Sequence, residues 1–332
     1  MMLTQVFRGI RIFKTLGQLC LASCLVATAP AAWADYPDKP IRIVLGFAAG
    51  GGSDILLRSF TPALADRLGQ PIVVDYKPGA GSNLAMDYVA RAPADGYTLL
   101  MGSPGLATNT SLYSNLSFDP LKDFAPIGLV GSVQNVLLVR SDLPVSSVQE
   151  LIAYAKQHPG KLNYASSGAG TSLHLAGELF KAKTKTDVVH VPYRGGSQAM
   201  NDLLGGQVDM MFNVLPSALA HIQAGKVKAL AVTGAQRSSS LPDVPTMIEA
   251  GVPDYTAVTW NGLVAPAGTP PEIIKKINAM LNEVLATPEI QRTFAGIGQD
   301  PMTGTPEDFG KFLRDETEKW RAVIQQAGIT AL

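Results

Sequence analysis

From Ile41 onward, short apolar runs alternate with glycine-rich turns and with stretches whose apolar residues recur every three or four positions. Ile41-Arg42-Ile43-Val44-Leu45 is a β-branched run suited to a buried strand. Ala49-Gly50-Gly51-Gly52-Ser53-Asp54 breaks it and supplies helix N-caps, Asp54 in particular. Leu56, Phe60, Leu64 and Leu68 then recur every fourth residue and predict a helix that stops at Gly69. The unit repeats with Ile72-Val73-Val74 as strand, Lys77 to Ser82 as loop and Asn83 to Arg91 as helix, and Tyr97 to Met101 begins a third.

A second set follows. Ile127 to Val130 and Val136 to Val139 read as strands flanking Gly131-Ser132, and Ser146 or Ser147 caps a helix running to Gln157. Leu162 to Ala165, Val188 to Val191, Val208 to Phe212 and Ala229 to Thr233 are further strands, the first two leading through glycine loops into helices. Trp260 to Val264 is a returning strand, followed by helices over Pro271 to Ala286 and Pro306 to Ala327. Strands alternating with helices imply right-handed βαβ units. The prediction is an α/β protein of two lobes with a mainly parallel sheet in each. Residues 35–132 with 256–332 form one lobe, residues 133–255 are inserted as the other, and a ligand cleft lies between them.

The first 34 residues stand apart. Arg8, Arg11 and Lys14 precede an apolar run from Leu16 to Ala32, and Ala32-Trp33-Ala34 closes it before Asp35. This is the layout of a secretory signal cleaved after Ala34, and a periplasmic location is expected. As a membrane anchor the run would be marginal in length and is broken by Gly, Ser, Thr and Pro. Leu21-Ala22-Ser23-Cys24 resembles a bacterial lipoprotein box, but apolar residues continue past Cys24 where a polar tether belongs. Removing the leader changes the charge balance. The full chain has 27 basic and 27 acidic residues, whereas the expected mature chain keeps 24 basic ones and no cysteine, since Cys20 and Cys24 both leave. A basic excess for nucleic acid is missing in either form, and a monomer stabilised by its core is expected.

The chemistry concentrates in loops where strands hand over to helices. Phe47 to Asp54, Lys77 to Asn83 and Ser166 to Ser172 each place backbone N–H groups at a helix start, a ready anion site. The candidate ligand-binding residues are Phe47, Ala49, Gly50, Gly51, Ser53 and Asp54 in the first loop, and Gly81, Ser82, Asn83 and Ser103 next along the chain. Ser166, Ser167, Gly170, Thr171, His174, Arg194, Gly195 and Asp209 complete the set, with Arg194 able to grip a carboxylate bidentately. Phosphate-loop, dinucleotide, nucleophile-elbow and zinc-protease motifs are missing, so no cofactor, metal or catalytic residue is expected. His174 with Glu178 lacks a visible third metal ligand. A secreted hydrolase or isomerase using His174 and Asp209 is the competing class, and a sensory receptor is a third.

The order of motifs carries a more specific signal. Tyr36-Pro37 to Pro40-Ile41-Arg42, Gly50-Gly51-Gly52-Ser53-Asp54, Lys77-Pro78-Gly79-Ala80-Gly81 and Ala94-Asp95-Gly96-Tyr97-Thr98-Leu99 come first. Tyr164 to Gly168, His190-Val191-Pro192-Tyr193-Arg194-Gly195, Leu203 to Asp209, Ala229 to Thr233 and Ala265 to Pro270 follow. In this order they resemble the Bug family of periplasmic solute-binding proteins, the receptors of tripartite tricarboxylate transporters. The resemblance implies a type II Venus-flytrap protein that binds a small di-, tri- or aromatic carboxylate through loop amides and hydroxyls and hands it to the transporter's membrane subunits. Gly81-Ser82-Asn83 departs from members that continue with glycines, which puts amide and hydroxyl groups beside the expected ligand.

Overall fold

The computed structural model describes residues 36–329 apart from Ala48, Ala169 and Arg194, so the expected leader with its cleavage site and Cys24 lies outside the described residues. The chain divides into two compact units, and the first, ending at Asp38, contributes only Tyr36–Asp38, with a cis bond before Pro37. The unit from Lys39 onward carries both sheets.

Strands β1 (Ile41–Leu45), β2 (Ile72–Tyr76) and β3 (Thr98–Gly102) form a parallel core in which Ile43 sits between Val74 and Leu99. Ile41, Ile43, Val44 and Leu45 are fully buried, which is why this run is apolar on both faces. Strands β4 (Phe124–Val133) and β10 (Thr259–Pro266) then join antiparallel, with the two-residue β11 (Asp300–Pro301) at the edge, giving the order β11-β4-β10-β3-β1-β2. The second sheet holds β5 (Asn135–Arg140), β6 (Asn163–Ser166), β7 (Val189–Pro192), β8 (Met210–Val214) and β9 (Val227–Val232) in the order β7-β6-β8-β5-β9. Here β6 runs parallel to β7 and β8, and β5 lies antiparallel to β8 and β9. Both sheets are therefore mixed around a parallel core: β10 runs against the βαβ strands of the first sheet and β5 against those of the second. Gly131-Ser132 continues β4, since Ser132 pairs with both Trp260 and Asp300.

The expected helices are present. Helix α1 (Gly52–Leu68) ends on Gly69 in the left-handed region, φ 72°. Helices α2 (Asn83–Ala90), α4 (Val148–Gln157), α5 (Ser172–Thr184) and α6 (Gly196–Leu204) follow their loops, and Ser147 caps α4 by accepting the Glu150 N–H. Helices α8 (Pro271–Leu285) and α10 (Pro306–Ala327) complete the expected set, α10 opening with a Thr305/Asp308 capping box. Three more were not anticipated: α3 (Gly105–Leu112), α7 (Leu215–Gln223) and α9 (Pro288–Gly296). Helix α9 carried a legible start, Thr287 capping the Ile290 N–H with Pro288 next to it.

One continuous apolar core runs through both sheets, and α10 packs on α3 and α5 alike. Strand β5 shows the alternation that divides two cores. Leu137 and Val139 face the large one, while Val136 and Leu138 face a cluster with Ala199, Leu203 and Met211. Where the chain passes from β4 into β5, the buried Asn135 donates its side-chain amide to Ala257 O at 2.6 Å. Thr233 Oγ1 accepts the Asn135 N–H at 3.0 Å and donates to Ala257 O at 2.8 Å. Thr233→Val keeps the shape and orphans that buried N–H. It is expected to destabilise the protein by about 1–3 kcal/mol, read as a lower urea midpoint at unchanged slope.

Candidate functional site

A cavity of about 610 Å³ opens between the two sheets. The first sheet's side contributes Phe47, Gly52, Ser53, Gly81, Ser103, Pro104 and Gly105, then Thr108, Asn109 and Leu112 of α3 and Tyr113 just after it. Val133, Thr259 and Asn261 line it where the chain crosses and returns, Ile297 and Gln299 from between α9 and β11, and Ser167, Gly170, Thr171, Ser172, Leu175, Val214, Pro216 and Ser217 close it from the second sheet's side.

Four helices begin at this wall. Gly52-Ser53 opens α1, Gly105 opens α3, Ser172 opens α5, and Pro216 stands in the first turn of α7. Each first turn leaves N–H groups without intrahelical partners and carries about half a unit of positive charge. None of the described lining residues is Asp, Glu, Lys, Arg or His. The wall is thus electropositive through backbone dipoles, with hydroxyls and amides between them. Among the described residues no cluster of His, Cys, Asp or Glu could hold a metal ion.

Buried amides fix these termini. Asn261 Nδ2 donates to Ser53 Oγ at 3.3 Å and to Gly102 O at 3.1 Å, tying the start of α1 to the sheet. Asn109 Nδ2 donates to Gly81 O at 2.9 Å and to Asn83 Oδ1 at 2.7 Å, tying the tight turn before α2 to α3. That turn requires glycine: Gly81 has φ 61°, and a Cβ there would stand 2.7 Å from Tyr113 Oη. Between the sheets, Ser172 Oγ and Thr259 Oγ1 are 3.2 Å apart.

Of the residues singled out from the sequence, the structure brings Phe47, Ser53, Gly81, Ser103, Ser167, Gly170 and Thr171 together at the cavity. Ala49, Gly50 and Gly51 are exposed in the loop leading to Ser53 but are not part of the wall. Ser82 and Asn83 are buried beneath it, Asn83 acting through Asn109. Asp54 is not the N-cap, a place taken by Gly51. Its buried carboxylate instead accepts the Gly50 N–H at 2.7 Å, Arg58 Nε at 3.0 Å and the Tyr76 hydroxyl at 2.6 Å. Burial pushes this carboxyl up, but those donors outweigh it and hold it below the ordinary range.

Ser166 is buried against His190, and His174 lines a different hollow. Asp209 is engaged by Arg140 Nε at 3.1 Å and the Asn163 N–H at 3.0 Å, away from the wall. His174 and Asp209 therefore share no cavity, as a hydrolase pair would need to. Gly195 precedes α6 outside the wall, and Arg194 lies outside the described residues. Thr108, Asn109, Tyr113, Ser217, Thr259, Asn261 and Gln299 were not foreseen. Only Pro216 at a helix start and the Pro104-Gly105 pair gave a local signal for the elements that carry some of them.

Comparison with known proteins agrees with this geometry. The family described as tripartite tricarboxylate transporter family receptor matches residues 56–329. The protein BugT of Bordetella pertussis is 37% identical over 316 residues, covering 93% of this chain and 97% of its own. The structure of R. palustris Rpa4515 with adipate has a TM-score of 0.75 at 38% identity, over 90% of this chain and 100% of that one. MatC from Rhodopseudomonas palustris with bound malate has a TM-score of 0.71 at 32% identity, over 87% and 100%.

The Asp54 contacts give a pH prediction. A carboxylate held low in the folded state stabilises above the ordinary carboxylate range and stops doing so as pH falls through its lowered value. Asp54→Asn is expected to melt below wild type at neutral pH, with the gap in Tm closing on acidification.

Proposed function

The chain belongs to the receptor family of tripartite tricarboxylate transporters, and from that premise we propose that it captures a small carboxylate in the cavity between its two lobes for delivery to the transporter's membrane subunits. The family is one of binding proteins, not enzymes, and the fold is the two-lobed α/β fold of periplasmic binding proteins. In this reading residues 133–255 are the lobe inserted between 35–132 and 256–332. Export follows cleavage after Ala34.

The observation that carries the assignment is the meeting of four helix starts on a wall without a lining charged side chain among the described residues. Such a wall stabilises an anion by N–H donation and favours no cation. The ligand's carboxylate is received by the first turns at Ser53, Ser103-Gly105 and Ser172, with Gly81 beside them. The rest of the molecule meets Phe47, Leu112, Leu175 and Ile297, so its chain or ring is apolar. The adipate and malate seen with Rpa4515 and MatC support the carboxylate class. A ligand held from both lobes binds the closed form better than the open one, and that difference is what drives closure.

Thermal-shift measurements across di-, tri- and aromatic carboxylates on ligand-stripped protein test the proposal. A ligand at a hundredfold its Kd adds about 2.7 kcal/mol of stability. Silence across the whole panel overturns the carboxylate assignment. A charge placed in the wall gives a sharper result. Ser53→Asp is expected to leave the melting temperature of the free protein near wild type, because a carboxylate suits a helix start. The same change lowers carboxylate affinity at least about tenfold by like-charge repulsion, measured by calorimetry.

A further inference from the structure

A separate hollow of about 370 Å³ is lined by His174, Glu178, Lys181 and His190, with Gly328 and Ile329 at the end of α10. The two imidazoles lie face to face, centroids 3.8 Å apart and planes 9° from parallel. His190 also stacks on Tyr164 at 4.8 Å. Two cationic rings would repel at this separation, so the stack belongs to the neutral pair.

Each ring holds one part of the loop between β6 and α5. His174 Nδ1 accepts the Gly170 N–H at 2.9 Å, which places the ring proton on Nε2. His190 Nε2 lies 2.7 Å from Ser166 Oγ, and Ser166 Oγ accepts the Gly168 N–H at 3.1 Å. Ser167 and Gly170 of the same loop line the large cavity. Gly170 has φ 76°, so its N–H direction is set by a backbone conformation that the imidazole bond stabilises.

We propose that His174 and His190 are positioning residues for ligand capture: as a stacked neutral pair they hold Ser166–Gly168 and Gly170–Thr171 in the conformation that presents Ser167 and the start of α5 to the ligand. This rests on the cavity being a carboxylate site. Burial pushes both rings down to about 4, assisted by Lys181 at His174 and by His174 itself at His190. The groups facing the pair are Glu178 and Lys181 from α5 and Tyr164 from β6, while the end of α10 offers no titratable described side chain. Glu178 Oε1 is already taken by the Tyr164 hydroxyl at 2.6 Å and by Lys181 Nζ at 2.9 Å. A proton on His174 Nδ1 would turn it from acceptor into donor, set it against the Gly170 N–H and release the loop. Capture is therefore intact at neutral pH and lost as pH falls through about 4.

Calorimetry with adipate, malate and the best carboxylate from the thermal-shift panel tests this on wild type, His174→Ala and His174→Asn. Asparagine places Oδ1 where Nδ1 stood, restoring an acceptor that does not titrate. At neutral pH, His174→Ala is expected to bind about tenfold more weakly and His174→Asn within about twofold of wild type. Because the ligand itself protonates in acid, the quantity to follow is the ratio of wild-type to His174→Asn affinity, which falls as pH approaches 4. Imidazole 15N shifts of the ligand-free protein are expected to show the Nε2–H tautomer, and the Gly170 amide to exchange faster in His174→Ala. Equal binding by His174→Ala and wild type, a pH-independent ratio, or the Nδ1–H tautomer would each overturn the assignment. If wild type binds no carboxylate, the carboxylate assignment fails on its own. The tautomer and the Gly170 exchange rate then still decide whether the pair holds the loop.

Discussion

The structure depends on how the chain passes between two sheets without leaving buried backbone groups unpaired. Only Gln134 separates β4 from β5, and no turn is available at that point to satisfy donors locally. The fully buried side chains of Asn135 and Thr233 take over that task, bonding each other's segments and the carbonyl of Ala257 just before the chain returns through β10. A buried amide N–H without a partner costs about as much as a good hydrogen bond gains, so these contacts set where the crossing segments can lie. Val133, Thr259 and Asn261 at those same ends form part of the cavity wall. The crossing geometry thus also places the site.

From there the direction of the parallel strands does the rest. The carboxyl ends of β1, β3, β6 and β8 lead into Phe47, Ser103, Ser167 and Val214, all on the cavity. A strand that ends at the wall is followed by a helix that starts there, so helix dipoles converge by topology and need no charged residue to create the field. An anionic ligand, as proposed, is thus compatible with an expected mature form that carries more acid than base, because the field at the wall is local. It also frees the remaining wall to be apolar, with Phe47, Leu112, Leu175 and Ile297 presenting shape in place of charge.

Much of this was legible because the signals are local. The β-branched run at Ile41, the four-residue spacing from Leu56 to Leu68 and the glycine at position 69 each act within a few residues. Helix α3 escaped because Gly105-Leu106-Ala107-Thr108-Asn109-Thr110-Ser111-Leu112 has little helix propensity and is buried on more than one side, so it shows no stripe. Asn109 and Asn261 were invisible for a different reason: their partners lie 28 and 159 residues away. Asp54 misled because an acid at a helix start resembles an N-cap, and only the fold shows it turned toward Arg58 and Tyr76. The stack of His174 on His190 arises where α5 passes over β7 and has no sequence signature.

At the cavity itself the two sides meet through small residues and one hydroxyl pair. Gly170 faces Leu112, Ser172 meets Thr259 through one hydroxyl pair, and Pro216 abuts Gly298. A Cβ on Gly298 would stand 2.1 Å from Pro216 Cγ, so the approach there is as close as a glycine permits. Small residues and a single neutral hydrogen bond supply about 1 kcal/mol each at most. These contacts add little to the apolar core that α10 already carries from α3 to α5. On the proposed reading, a carboxylate that accepts N–H groups from both sides of the cavity adds charge-assisted bonds that only the closed form offers. Such ligand-mediated bonds, added where the direct contacts at the cavity are few, are on this reading what makes the occupied state differ from the empty one, the property a receptor presents to its transporter.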